Sequence, residues 1–94
     1  MGVRENRGET YHDKEIKKIS GITRKWVSPE RDGVPDRICF INPEWYVEVK
    51  TIDGTQSKNQ RREVVRLIKV GARVAIVYGN SGVDKFIEWL KENK

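Results

Sequence analysis

The spacing of apolar positions along the chain switches between helix and strand periods. From about residue 3 to residue 20 the chain is polar. Tyr11, Ile16 and Ile19 recur there on one side of a helix that Gly8 weakens and the "SGIT" segment ends. "TRKWV" alternates polar and apolar positions and predicts a short strand, after which "SPERDGVP" has the proline and glycine content of a loop. "DRICFI" and "WYVEVK" are rich in β-branched and aromatic residues and are joined by "NPE", whose Asn-Pro starts a tight reversal; together they predict a β-hairpin. After the polar connection "TIDGTQ", Ser57 is placed to cap a helix running to about Val70 and closed by Gly71. One face of that helix carries Val64, Leu67 and Ile68, another Lys58, Arg62, Arg66 and Lys69. "RVAIVYG" is a nearly continuous apolar run, the pattern of a strand covered on both faces, and "SGVDKFIEWLKENK" reads as a capped helix. Strand, helix and strand in succession imply a right-handed crossover and a parallel pair. The expected architecture is α/β, in the order αβββαβα, with a mixed sheet flanked by helices.

Composition narrows the picture. A chain of 94 residues supports one domain, residues 1–94, so a site must lie on a single core or across a subunit boundary. Apolar residues make up 36% and charged residues 35%, but the apolar ones are clustered, which argues against disorder. The net charge of +5 favours a polyanionic partner, although surplus Lys and Arg also serve as solubilising surface. No apolar run approaches the roughly 18 residues of a membrane span, and "MGVRENRGET" lacks the apolar core of a signal peptide. A cytoplasmic protein is expected. Cys39 is the single cysteine, so no intrachain disulfide forms, and its place between Ile38 and Phe40 suits strand packing.

Chemistry enters at the hairpin. On a strand Glu48 and Lys50 point one way and Val47 and Val49 the other. With the reversal centred near Asn42 and Pro43, Asp36 at the start of one strand lies beside Glu48 and Lys50 at the end of the next. Two carboxylates and an ammonium then meet at one end of the sheet. Neighbouring carboxylates repel unless a cation lies between them. A hard divalent ion such as Mg²⁺ takes one or two carboxylates, waters and a substrate phosphate, a composition suited to phosphodiester hydrolysis. Lys50 would hold the attacking water or stabilise developing negative charge, and the backbone carbonyl of Val49 would add an oxygen ligand. The competing reading makes Glu48 and Lys50 a solvated same-face ion pair and Asp36 a turn residue after Pro35.

"GVPDR", "VEVK" and "SKNQRR", in that order, resemble the VRR-NUC domain of the PD-(D/E)xK nuclease superfamily, and "RKWVSP" is similar to the segment ahead of the Pro-Asp in its small stand-alone members, many from bacteriophages. The resemblance spans nearly the whole chain and implies a restriction-endonuclease-like core. It implies Asp36 and Glu48 as ligands of Mg²⁺ or Mn²⁺, Lys50 as the catalytic lysine, and Gln60 as the family's glutamine after the acidic-basic strand. A glutamate of the first helix would complete the site: Glu5 is preferred, with Glu9 one turn away on the same face as the alternative. "NPE" stands where many relatives carry a glycine-rich turn. The implied activity is structure-selective DNA cleavage, on four-way (Holliday) junctions by a homodimer, in the host cytoplasm if the chain is phage-encoded.

The remaining candidates each have two readings. Gln60 faces the sheet with Val64 and Leu67; it either satisfies a buried backbone group or orients Lys50 or a catalytic water. His12, with no second histidine and no cysteine near it in sequence, is expected to be an exposed helix residue. Trp26, Trp45 and Trp89 suit core or interface packing better than base stacking. Lys58, Arg62, Arg66 and Lys69, taken with Lys17, Lys18, Arg24, Lys25 and Arg37, form a candidate phosphate-binding surface, Arg37 reaching the phosphate next to the scissile one. The rival functions are a non-catalytic nucleic-acid binding module of the same fold, and a small interaction protein in which the three charges merely pair.

Overall fold

The computed structural model of the chain describes residues 7–93. They form α1 (Arg7–Lys18), β1 (Ile22–Lys25), β2 (Arg37–Phe40), β3 (Trp45–Lys50), α2 (Lys58–Lys69), β4 (Val74–Tyr78) and α3 (Gly79–Glu92), the αβββαβα order that the spacing predicts. The sheet runs β1-β2-β3-β4, antiparallel at the first two junctions and parallel between β3 and β4. Parallel neighbours need a long crossover, and α2 supplies it. In the hairpin Arg37 pairs with Val47 and Cys39 with Trp45, so the reversal falls on Asn42, whose φ of 54° is one that asparagine tolerates.

Alternation along the strands divides the molecule into layers. Cys39, Val47, Val49 and Val77 form a buried cluster with Ile16 of α1 and with Val83, Phe86, Ile87 and Leu90 of α3. Full burial of such side chains contributes about 1.5–3 kcal/mol each, which makes this layer the main source of stability. Tyr11 and Ile19 of the predicted α1 stripe pack against it, and the Tyr11 hydroxyl donates to Asp84 at 2.6 Å, tying α1 to α3. The opposite sheet face, bearing Glu48 and Lys50, looks toward α2.

Several details depart from expectation. β4 lies at the sheet edge with β3 as its neighbour, so only Val77 in it is buried, while Val74, Ala75 and Ile76 are half-buried. α3 starts at Gly79, ahead of Ser81, and Tyr78 at its N-cap makes no side-chain capping bond. On α2, Ile68 is 54% exposed while Glu63 and Val64 are buried. The reason is that α2 leans on the 28–34 loop as well as on the sheet. Gly33, at φ +85°, comes so close that a Cβ would stand 2.6 Å from the Asn59 carbonyl oxygen. The loop delivers Arg31 to Glu63 at 3.0 Å, Arg66 joins at 3.2 Å, and the Arg31 hydrogen bond foremost holds the Glu63 carboxyl below the usual range.

His12 is the clearest correction. It is fully buried rather than exposed, stacked on Phe86 with ring centroids 6.4 Å apart, because α3 crosses α1 on its side of the helix. Burial pushes its pKa down, against the pull of Asp13, whose Oδ1 lies 3.2 Å from Nδ1. The tryptophans pack as expected: Trp26 on Tyr46, and Trp45 against Phe86 and the partly exposed Trp89.

Candidate active site

Asp36 is held from two sides. Its carbonyl accepts from the Trp26 N–H at 3.0 Å, continuing the β1–β2 ladder, and its Oδ2 accepts from the Val49 N–H at 2.9 Å. The β3 backbone therefore fixes this carboxylate beside the Glu48–Val49–Lys50 segment. Glu48 is 0% exposed, and both of its carboxylate oxygens are buried without a hydrogen-bond partner. Lys50 Nζ stands 3.8 Å from Glu48 Oε2, beyond hydrogen-bonding range, and instead donates to Gln60 Oε1 at 2.8 Å. The ion pair of the competing sequence reading is present only as this long contact and is not solvated: Glu48 is enclosed, and the Lys50 ammonium gives its hydrogen bond to α2.

Burial raises the Glu48 pKa, with Asp36 adding to the rise and Gln56 and Lys50 opposing it. Gln56 was not singled out in the sequence. It lies close enough to act on Glu48, yet its Nε2 is itself buried without a partner, so geometry leaves the carboxylate unsatisfied. Its position directly before the helix cap, where the chain turns back to the sheet end, is the signal that marks it.

Gln60 meets Lys50 and an exposed backbone N–H with one oxygen. Oε1 accepts from Lys50 Nζ and also from the Ser57 N–H at 2.9 Å, while the Gln60 N–H donates to Ser57 Oγ at 3.1 Å, a reciprocal capping box. The same cap that starts α2 thereby orients Lys50. Gln60→Ala is expected to cost about 1 kcal/mol through the lost cap, which thermal unfolding checks.

Of the helix acids, Glu5 lies outside the described residues. Glu9 is half-buried; burial raises its pKa first and Asp36 second, while Arg37 and Lys25 lower it, so it belongs to the same electrostatic neighbourhood as Asp36. Arg37 turns toward α1, with Nη2 3.3 Å from Glu9 and 3.1 Å from Asp13. Lys25 sits opposite Arg37 in the sheet and is exposed. Lys58, Arg62, Arg66 and Lys69 are all exposed along α2, with Arg66 partly engaged by Glu63. Lys50 also lines a surface cleft of about 430 Å³ with Gly8, Thr51, Ile52, Gly79 and Asn80.

A divalent ion would find two carboxylates here, Asp36 and Glu48. Among the described residues no three His, Cys, Asp or Glu side chains gather into a group that could hold a metal ion. A pair of carboxylates, one of them enclosed with neither oxygen satisfied, is what a hard ion needs when waters and a substrate phosphate complete its shell.

Fold and site together define a restriction-endonuclease-like α/β domain. A solved structure described as "VRR_NUC domain" superposes with a TM-score of 0.82 at 32% identity, covering 93% of this chain and 97% of that one. The protein described as "Putative nuclease p44" from Acyrthosiphon pisum secondary endosymbiont phage 1 is 36% identical over 77 residues, which cover 80% of this chain and 83% of the relative. No family model matches the sequence. The chain belongs to the VRR-NUC nuclease family.

Proposed function

We propose that the protein is a divalent-metal-dependent DNA endonuclease that cleaves branched DNA, four-way junctions foremost, as a homodimer. The observation that carries the reading is Glu48, an enclosed carboxylate with two unpartnered oxygens, set beside Asp36 and Lys50 in a chain of a nuclease family. In this reading Asp36, Glu48 and the Val49 carbonyl would hold Mg²⁺ or Mn²⁺, and a glutamate of the first helix, Glu5 or in its place Glu9, would complete the shell. When bound, such an ion would supply Lewis acidity for the phosphate and for a nearby water. Lys50, aimed by Gln60, orients the attacking water and stabilises the charge that develops on the phosphate. Lys25 and the α2 cations Lys58, Arg62, Arg66 and Lys69 grip flanking phosphates, which makes binding fall steeply with salt.

A chain this small covers few phosphates, and a twofold pair places two sites across the strands of a branch. Exposed Ile52, Tyr78 and Trp89, around a groove beside β4, offer apolar surface for that pairing. The test is a cleavage panel of duplex, flap, fork and four-way DNA in Mg²⁺, Mn²⁺ or EDTA, with the mass in solution measured alongside. Cleavage of the four-way substrate that requires metal, by a species of twice the chain mass, is expected. Metal-independent binding with no cleavage of any substrate would replace the nuclease by a binding module.

No helix among the described residues is long and apolar enough to cross a membrane.

A further inference from the structure

On α1, Glu9 and Asp13 are four residues apart and therefore stacked on one face, where two like charges repel. Arg37 is inserted between them. Its Nη2 lies 3.3 Å from Glu9 Oε1 and 3.1 Å from Asp13 Oδ2, and its side chain is only 16% exposed. Nε is buried, and Asp13 is steadied in turn by the buried His12 at 3.2 Å. An arginine enclosed in this way, already facing two carboxylates, has little left to offer a DNA phosphate. Its neighbour in sequence is Asp36, whose charge acts on Glu9, and Arg37 opposes the rise in the Glu9 pKa that burial and Asp36 produce. Asp36, in the bend just ahead of β2, gives its carboxylate to the Val49 N–H, while Arg37, the first residue of β2, turns to α1, so a single dipeptide addresses both the sheet end and the helix.

We infer that Arg37 is a positioning residue: by bridging Glu9 and Asp13 it clamps α1 against the start of β2, beside Asp36, and so fixes where Glu9 stands relative to the sheet end. The inference rests on the proposed nuclease site and assigns α1 a fixed place in it through Glu9. It predicts a role distinct from phosphate binding, the one that the basic character of Arg37 suggests in the sequence.

The experiment is a double-mutant cycle of Arg37→Met and Glu9→Gln, read by single-turnover cleavage of four-way DNA, by DNA affinity at several salt concentrations, and by Mn²⁺ binding to the DNA-free protein. Arg37→Met is expected to slow cleavage about 10–100-fold and to weaken Mn²⁺ binding, with DNA affinity and its salt slope unchanged; in the Glu9→Gln background it should add nothing. Arg37→Lys keeps charge and stem but loses the planar fork, and should fall between. Should Arg37→Met not fold, the cycle with Arg37→Lys decides. A drop in DNA affinity with a salt slope smaller by about one unit identifies a phosphate contact and overturns the clamp. Losses that multiply across the cycle overturn it as well, since Arg37 would then act without Glu9. A wild-type protein that neither cleaves nor binds Mn²⁺ brings down the nuclease reading itself, whereas an active wild type with multiplying losses brings down the Arg37 assignment alone.

Discussion

Glu48→Gln will abolish cleavage while making the metal-free protein more stable. The wild-type carboxylate is fully enclosed with neither oxygen hydrogen-bonded, and burial raises its pKa. Between the ordinary carboxylate pKa and this raised value, the folded protein holds a proton that the unfolded chain has released. The contribution of Glu48 to the stability of the metal-free wild type must therefore fall as pH rises through that window, and it is fully present below it. The isosteric amide carries no charge, so the variant should lose this slope and unfold at a higher temperature in EDTA at neutral pH. Adding Mn²⁺ should stabilise the wild type and leave the variant unaffected. Losing an ion ligand worth several kcal/mol in the transition state corresponds to about 10³-fold or more in rate. A variant that unfolds earlier than wild type at every pH would show Glu48 to be a satisfied structural partner of Lys50, contrary to the 3.8 Å separation.

Lys50→Ala should slow single-turnover cleavage by about 10²–10³-fold, the loss expected when one preorganised donor is removed from a developing charge. Folding should be nearly unaffected, because Gln60 keeps its bonds with Ser57 and α2 keeps its cap. DNA affinity should also change little, since the surrounding cations remain exposed along α2. Lys50→Arg should not restore the rate, as a planar fork cannot replace a compact ammonium aimed at one point. Wild-type turnover by Lys50→Ala would remove the lysine from the chemistry and leave it as a partner of Gln60.

Much of this site was legible because it is built from local rules. Alternation put Glu48 and Lys50 on one face, Asn-Pro set the reversal that brings Asp36 alongside them, and Ser57 marked the helix that carries Gln60. Other features were invisible because they depend on how layers meet. Nothing within α1 distinguishes a buried His12 from an exposed one, since its solvent is removed by α3, some seventy residues further on. Glu63 likewise reads as surface charge until the 28–34 loop supplies Arg31. Arg37, which charge alone assigns to a phosphate, is claimed by two carboxylates of α1 that no short-range pattern connects to it.

The sequence by itself determined the order of elements, the hairpin register and the convergence of Asp36, Glu48 and Lys50, since these follow from side-chain period and turn chemistry acting over a few residues. Tertiary structure alone decided which charges are enclosed and which meet a partner. Desolvation and ion pairing depend on surfaces brought together from distant parts of the chain, and no local period encodes them.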